Sequence, residues 1–172
     1  MNEGLDTGDM LLKVVVPIEA NETGGSYHDK LSAAGAKLCV EAMKQAEAGT
    51  LQPEKQDDSQ AGEYARTLDK ALGNVDFTKS AVEIERLIRG LNPWPSAYTF
   101  YNGKTMKLWK AEVVSGGNVT PGQIFSVDKQ SFTVQTGDGA LRILELQLEG
   151  KKRMDAGAFL RGCAVAVGEM LG

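Results

Sequence analysis

Asn102 and Gly103 stand between two β-rich runs, AYTFY and KTMKLWKAEVV. A two-residue connection of this kind closes a type I′ turn, because both residues accept positive φ at little cost and the turn's twist matches that of the flanking strands. The chain is therefore committed to an antiparallel hairpin at this point. Just before it, Pro93 and Pro95 in the sequence NPWP end any helix. Beyond it, Pro121-Gly122, Asp128-Lys129-Gln130 and Gly137-Asp138-Gly139 punctuate QIFSV, SFTVQT and ALRILELQL into further strands.

One helix is expected on the amino-terminal side of these strands. Ser80-Ala81-Val82-Glu83 matches the capping box, and Ala81, Ile84, Leu87, Ile88 and Leu91 fall on one face of the helix it opens. Five or so short antiparallel strands with one flanking helix predict a small barrel of the oligonucleotide/oligosaccharide-binding (OB) kind. Trp94 and Trp109 are expected in its core, while Tyr98, Phe100 and Tyr101 are candidate stacking surfaces.

The first part of the chain reads differently. Residues 10–18, MLLKVVVPI, form a β-branched run short enough for a strand, expected in the interior of a larger sheet. A helix should follow, with Leu31, Ala34, Leu38, Cys39, Ala42 and Met43 as its apolar stripe, Thr23 or Ser26 as N-cap and Gly49 as its stop. A single βα unit cannot cover both faces of a parallel sheet, so a segment is expected before Met1. Residues 50–62 are polar and charged and read as an exposed linker, with the domain boundary inside it. Residues 63–80 should drape over the surface, anchored by Tyr64, Leu68, Val75 and Phe77. The class is thus α+β, divided as residues 1–49, a linker at 50–69 and a barrel domain at 70–172.

Charge follows the same division. Residues 1–69 hold six Lys and Arg against thirteen Asp and Glu, a net of −7, whereas residues 70–172 hold thirteen against ten, a net of +3. A phosphate-bearing partner is allowed on the second part only, and +3 is well short of a dedicated DNA binder. Cys39 and Cys163 lie far apart with no C-x-x-C pattern, which fits reduced thiols and excludes a zinc site. No apolar run approaches the ~20 residues of a membrane span, and the acidic MNEGLDTGD start is unlike a signal peptide. A soluble, cytoplasmic protein is expected.

Few residues carry chemistry. In GLDTGDM, Gly4 to Met10, two carboxylates sit between glycines that permit positive φ, beside a strand end where α/β folds place ligands. The plain alternative is an acidic surface turn. Asp6, Asp9 and Glu3 have neither EF-hand spacing nor a second acidic cluster, so no metal is expected. His28 is the one histidine, and it lies at a helix start where a solvated role is the default. No Ser/His/Asp or Cys/His set can be assembled. Among the basic residues, strict alternation puts Lys104 and Lys110 on one face of a strand and Lys107 on the other. The denser cluster is GKKRM, with Lys151, Lys152 and Arg153 at a strand end.

Taken together, NEGLDTGDML, the linker PEKQD followed by EYA, the helix end IRGLNPWPSAYT, and TGDGALRILELQLEGKKRMDAGAFLRG resemble the methionyl-tRNA formyltransferase family across essentially the whole chain. The resemblance implies the end of a Rossmann-like α/β formyltransferase domain, a linker, and a carboxy-terminal OB-like barrel. It implies formyl transfer from 10-formyltetrahydrofolate to the amino group of initiator methionyl-tRNA. The family's centre is an asparagine, a histidine and an aspartate, and Asp6 matches the aspartate of the GLDTG loop, which orients the histidine and stabilises its charge. The asparagine, the histidine and the folate segment precede that loop in the family. The chain is therefore read as a carboxy-terminal portion, inactive alone, with a missing amino-terminal fragment as a partner. The tRNA contacts implied are Arg66 and Lys70 in the linker, with Thr67 where the family is often basic, and Lys104, Lys110, Lys151, Lys152 and Arg153 on the barrel. Two alternatives are a non-enzymatic RNA-binding module and a portion of a sugar-nucleotide formyltransferase.

Overall fold

The computed structural model describes residues 3–172. They separate into two units: residues up to 20 with Ser26–Thr67, and Asn21–Gly25 with Leu68–Gly172.

In the first unit, residues 10–18 are not the interior strand that their composition suggests. Met10 exchanges two 2.8 Å backbone hydrogen bonds with Glu54, as an isolated bridge, and residues 11–18 join no ladder. Val15 and Ile18 are 90% and 69% exposed. β-Branched residues favour a strand only where a neighbouring backbone supplies the ladder, and among the described residues Glu54 alone does so. Helix α1 (Gly24–Glu47) starts after Thr23 and has no fully buried residue. Ala34, Leu38 and Ala42 are half-buried, a narrower stripe than expected, since Leu31, Cys39 and Met43 are exposed. Its end is a Schellman motif: Gly49 takes φ +69°, Thr50 N–H donates to Gln45 O and Gly49 N–H to Ala46 O.

The second unit is built on the hairpin. Helix α2 (Ala81–Gly90) opens with the expected capping box, Ser80 Oγ accepting from Glu83 N–H while the Glu83 carboxylate accepts from Ser80 N–H. Ala81, Ile84 and Ile88 are at most 2% exposed. Strands β1 (Ala97–Tyr101) and β2 (Lys104–Val114) flank Asn102 and Gly103, which have φ of +51° and +74°, the signs a type I′ turn requires. β3 (Ile124–Val127), β4 (Phe132–Gln135), β5 (Ala140–Leu148) and β6 (Met154–Asp155) complete an antiparallel sheet, followed by α3 (Ala156–Gly162). Its path is β1-β2-β5-β4-β3, with β6 on β5. No ladder joins β1 to β3 among the described residues, so the strands alone leave the sheet open rather than closed as a barrel. The carboxy terminus spans the gap. Ile124 N–H donates to Glu169 O, Gly168 N–H to Ile124 O, Leu171 N–H to Gly122 O and Gly172 N–H to Phe100 O.

The core lies between α2 and this sheet. Ile84, Ile88, Met106, Leu108, Ile124, Phe132, Leu141, Ile143 and Leu146 are fully buried, each such side chain stabilising the fold by about 1.5–3 kcal/mol. Close backbone packing sets its rim, where a Cβ on Gly137 would stand 1.8 Å from Thr78 O. Along β2 the core positions run Met106, Leu108, then Ala111, and along β5 they run Ile143, then Leu146. Both strands slip one step together at the irregularity around Lys110↔Glu145. A one-residue slip moves every later side chain to the opposite face. Lys110 therefore shares the outer face with Lys107, and Lys104 does not, the reverse of strict alternation.

Candidate functional site

Two regions hold the residues singled out above, one in each unit. In the first unit, the loop around Asp6 is held by Gln56, whose Nε2 donates to Asp6 O at 2.8 Å and Gly8 O at 2.6 Å. The positive φ in this loop falls on Asp6 itself, at +55°, rather than on Gly4 or Gly8. Aspartate tolerates that conformation better than most residues. Asp6 and Asp9 are exposed and line an open depression of about 820 Å³ together with Met10, Pro53 and Gln56. Lys13 and Glu54 pair at 2.7 Å with both side chains well exposed. His28 is not among the residues lining the depression; its side chain is 81% exposed and lies 3.5 Å from Asp29. No cluster of three His, Cys, Asp or Glu side chains able to hold a metal occurs among the described residues. Arg66 is an exposed residue of this unit, whereas the exposed Lys70 belongs to the second.

In the second unit Lys107 and Arg153 lie against Trp109 on the outer face of β2 and β5, beside β6, and Lys110 is on the same face. Trp109 is buried there, 9% exposed, as expected of a core ring, although it packs outside the main core cluster. The Arg153 guanidinium lies 4.7 Å from its ring centroid and the Lys107 ammonium 5.7 Å away. Such cation–π placement stabilises by about 0.5–1 kcal/mol at a partly exposed site. Trp94, expected in the core, is 57% exposed. It lies in the irregular turn between α2 and β1, where the prolines on either side prevent it from continuing an element that could bury it.

Arg153 is held on two sides. Its Nε and Nη2 donate to the two Glu145 oxygens at 2.5 Å and 2.6 Å. This fork holds the Glu145 carboxyl below the usual glutamate range, with Arg153 as the main cause and Lys110 a smaller one, and it holds the Arg153 guanidinium above the usual arginine value. Lys104, Lys110, Lys151 and Lys152 are exposed, and Lys107 is half-buried. The pairing of Glu145 with Arg153 has one sequence signal: a hairpin turn at Glu149-Gly150 brings the segments on either side of it together, with Asp155 opposite Glu145 and Arg153 reaching Glu145 diagonally. The slip that brings Lys110 onto the face of Lys107 has none.

An open antiparallel sheet capped by one helix, with Lys107, Lys110 and Arg153 on its outer face, defines a small α+β domain. A family model, "Formyl transferase, C-terminal domain", matches residues 67–164. The chain is 57% identical over 169 residues to a methionyl-tRNA formyltransferase of Agathobacter rectalis, covering 98% of this chain and 54% of that protein. It is 53% identical to that of Lachnospira eligens, covering 100% of this chain and 56% of the relative. The chain thus belongs to the formyltransferases, and among them to the methionyl-tRNA formyltransferase family. It spans about half the length of the curated relatives it matches.

Solved structures share the fold. A variant of HypX from Aquifex aeolicus superposes with a TM-score of 0.67 over 98% of this chain and 30% of that chain, at 19% identity. HypX in complex with tetrahydrofolic acid gives 0.63 over 92% of this chain and 28% of that one, also at 19% identity. An N-formyltransferase from Helicobacter canadensis, in complex with folinic acid and dTDP-3-aminofucose, gives 0.61 over 83% of this chain and 52% of its own, at 18% identity.

Proposed function

We propose that the chain works within a methionyl-tRNA formyltransferase that moves formyl from 10-formyltetrahydrofolate to the amino group of initiator methionyl-tRNA. The observation that carries this reading is identity of 53–57% to proteins of that name over 98–100% of the chain. In this reading the second unit is an OB-like barrel closed by its carboxy-terminal residues rather than by a β1–β3 ladder, and its cationic outer face holds tRNA phosphates. Lys110, Lys151 and Lys152 are the contacts there, joined by Lys107. Lys104 is at the hairpin tip, and Arg66 and Lys70 contribute from the connecting stretch.

Asp6 is the residue of the chain that serves the chemistry directly. A carboxylate beside a catalytic histidine orients the imidazole and stabilises its charged form. His28, solvated and beside Asp29, does not supply that imidazole. Among the described residues, the lining of the Asp6 depression also holds no cation and no aromatic ring. These residues by themselves do not fit a folate with its pterin ring and anionic tail, and no step is drawn through one.

The experiment is a formylation assay of the 172-residue chain with charged initiator tRNA and 10-formyltetrahydrofolate, run beside a tRNA-binding titration. We expect binding that weakens steeply with salt and no turnover. Turnover by the chain alone would refute the role given to Asp6. Binding of nucleotide sugars in place of tRNA would move the chain to another branch of the formyltransferases.

A further inference from the structure

The turn that carries Lys151 and Lys152 is tethered three times. Gly150 has φ +75°, and Lys151 N–H donates to Leu148 O at 2.9 Å. Gln147 Nε2 reaches across to Lys151 O at 3.0 Å. The third tether is Arg153, forked onto Glu145 of β5 and stacked over Trp109 of β2. A phosphate arriving at Arg153 would meet the Glu145 carboxylate already in place, and like charges repel within that distance. Lys151 and Lys152 face no such competitor, being exposed and without a carboxylate partner among the described residues.

We propose that Arg153 is a positioning residue for nucleic-acid binding. Fixed between Glu145 and Trp109, it holds the turn that presents Lys151 and Lys152 to backbone phosphates, and it makes no phosphate contact itself. This rests on the tRNA-holding role proposed above and sharpens it, because it removes one cation of the GKKRM cluster from the contact set. The benefit is preorganisation: long lysine side chains lose less freedom on binding when the backbone beneath them is already ordered.

The test is the salt dependence of initiator-tRNA binding to the full chain and to Lys151→Ala, Lys152→Ala, Arg153→Gln and Arg153→Lys. Each lysine variant should lower the slope of log K against log salt by about one, the signature of a lost phosphate contact. Arg153→Gln should weaken binding several-fold with the slope unchanged. Arg153→Lys keeps the charge but cannot make a planar fork, so it should behave like Arg153→Gln. A second readout needs no RNA. In a Trp94→Phe background, Trp109 emission should shift to the red in both Arg153 variants and stay fixed in the lysine variants. Wild-type affinity in Arg153→Lys together with a slope lowered by about one in Arg153→Gln would overturn the proposal, as would unchanged slopes in both lysine variants. Absence of tRNA binding by the wild-type chain would instead overturn the functional reading on which the proposal rests.

Discussion

Replacing Tyr101 by phenylalanine removes one hydroxyl from the place where the carboxy terminus crosses the sheet. Tyr101 is 3% exposed, and its hydroxyl donates to Glu169 Oε2 at 2.8 Å. The ring itself packs edge-on against Phe159 with centroids 6.3 Å apart, and phenylalanine keeps that contact. A hydrogen bond to a charged acceptor contributes about 1.5–3 kcal/mol. Glu169 retains a second donor, Ala166 N–H at 3.1 Å, which places the expected cost near the middle of that range, about 2 kcal/mol. For a domain of about 100 residues this corresponds to a Tm lower by roughly 10 °C.

The same bond makes a pH prediction. Burial first, and then the bond to Glu169, push the Tyr101 hydroxyl far above the ordinary tyrosine value. The folded state therefore holds this proton more tightly than the unfolded state does. That contribution is complete below the unfolded value of about 10 and falls away as pH rises above it. Thermal melts followed by circular dichroism at pH 7 and at about pH 11 test both parts. Tyr101→Phe should melt lower at pH 7 and lose less on going to pH 11 than the wild type. A variant within about 2 °C of wild type at pH 7, or one that keeps the full alkaline loss, would refute the reasoning.

The remaining predictions concern single local features. Ser80→Ala deletes half of the α2 capping box and should cost about 1 kcal/mol, read as a lower denaturant midpoint with an unchanged m-value. Gly137→Ala puts a methyl group 1.8 Å from Thr78 O, so the loop before β5 must move; a large drop in soluble yield is expected, and normal expression with a wild-type Tm would contradict the packing described. Glu145 has its carboxyl held below the usual range by Arg153. Its stabilisation is therefore present above the ordinary glutamate value of about 4.3 and is lost as pH falls through the folded value. Glu145→Gln should flatten that acid loss, by under about 1 kcal/mol because Arg153 is 44% exposed.

Several elements were legible because their causes are local. The α2 helix follows from four residues of capping box and an apolar period, and the hairpin follows from Asn102-Gly103. The Schellman end of α1 follows from Gly49. In each case neighbouring residues supply both the signal and the hydrogen bonds that satisfy it. The run at 10–18 misled for the complementary reason: its β-branched residues state a preference, but a ladder needs a second backbone, and among the described residues only Glu54 provides one. Trp94 misled likewise, since hydrophobicity says what a ring prefers and not whether the chain path can bury it.

The patch around Trp109 shows the same limit at the candidate site. That GKKRM was basic could be read directly, but that Arg153 is spoken for by Glu145 depends on a β5–β6 pairing. That Lys107 joins Lys110 depends on a slip shared by β2 and β5. By itself the sequence determined the capped helix, the type I′ hairpin, the positions of the turns and the family to which they belong, because short-range sterics and patterned residues carry that information. Which cations share a face, which one is neutralised and how the sheet edges are bridged were decided by the tertiary structure, because each depends on register and contact between residues that only folding brings together.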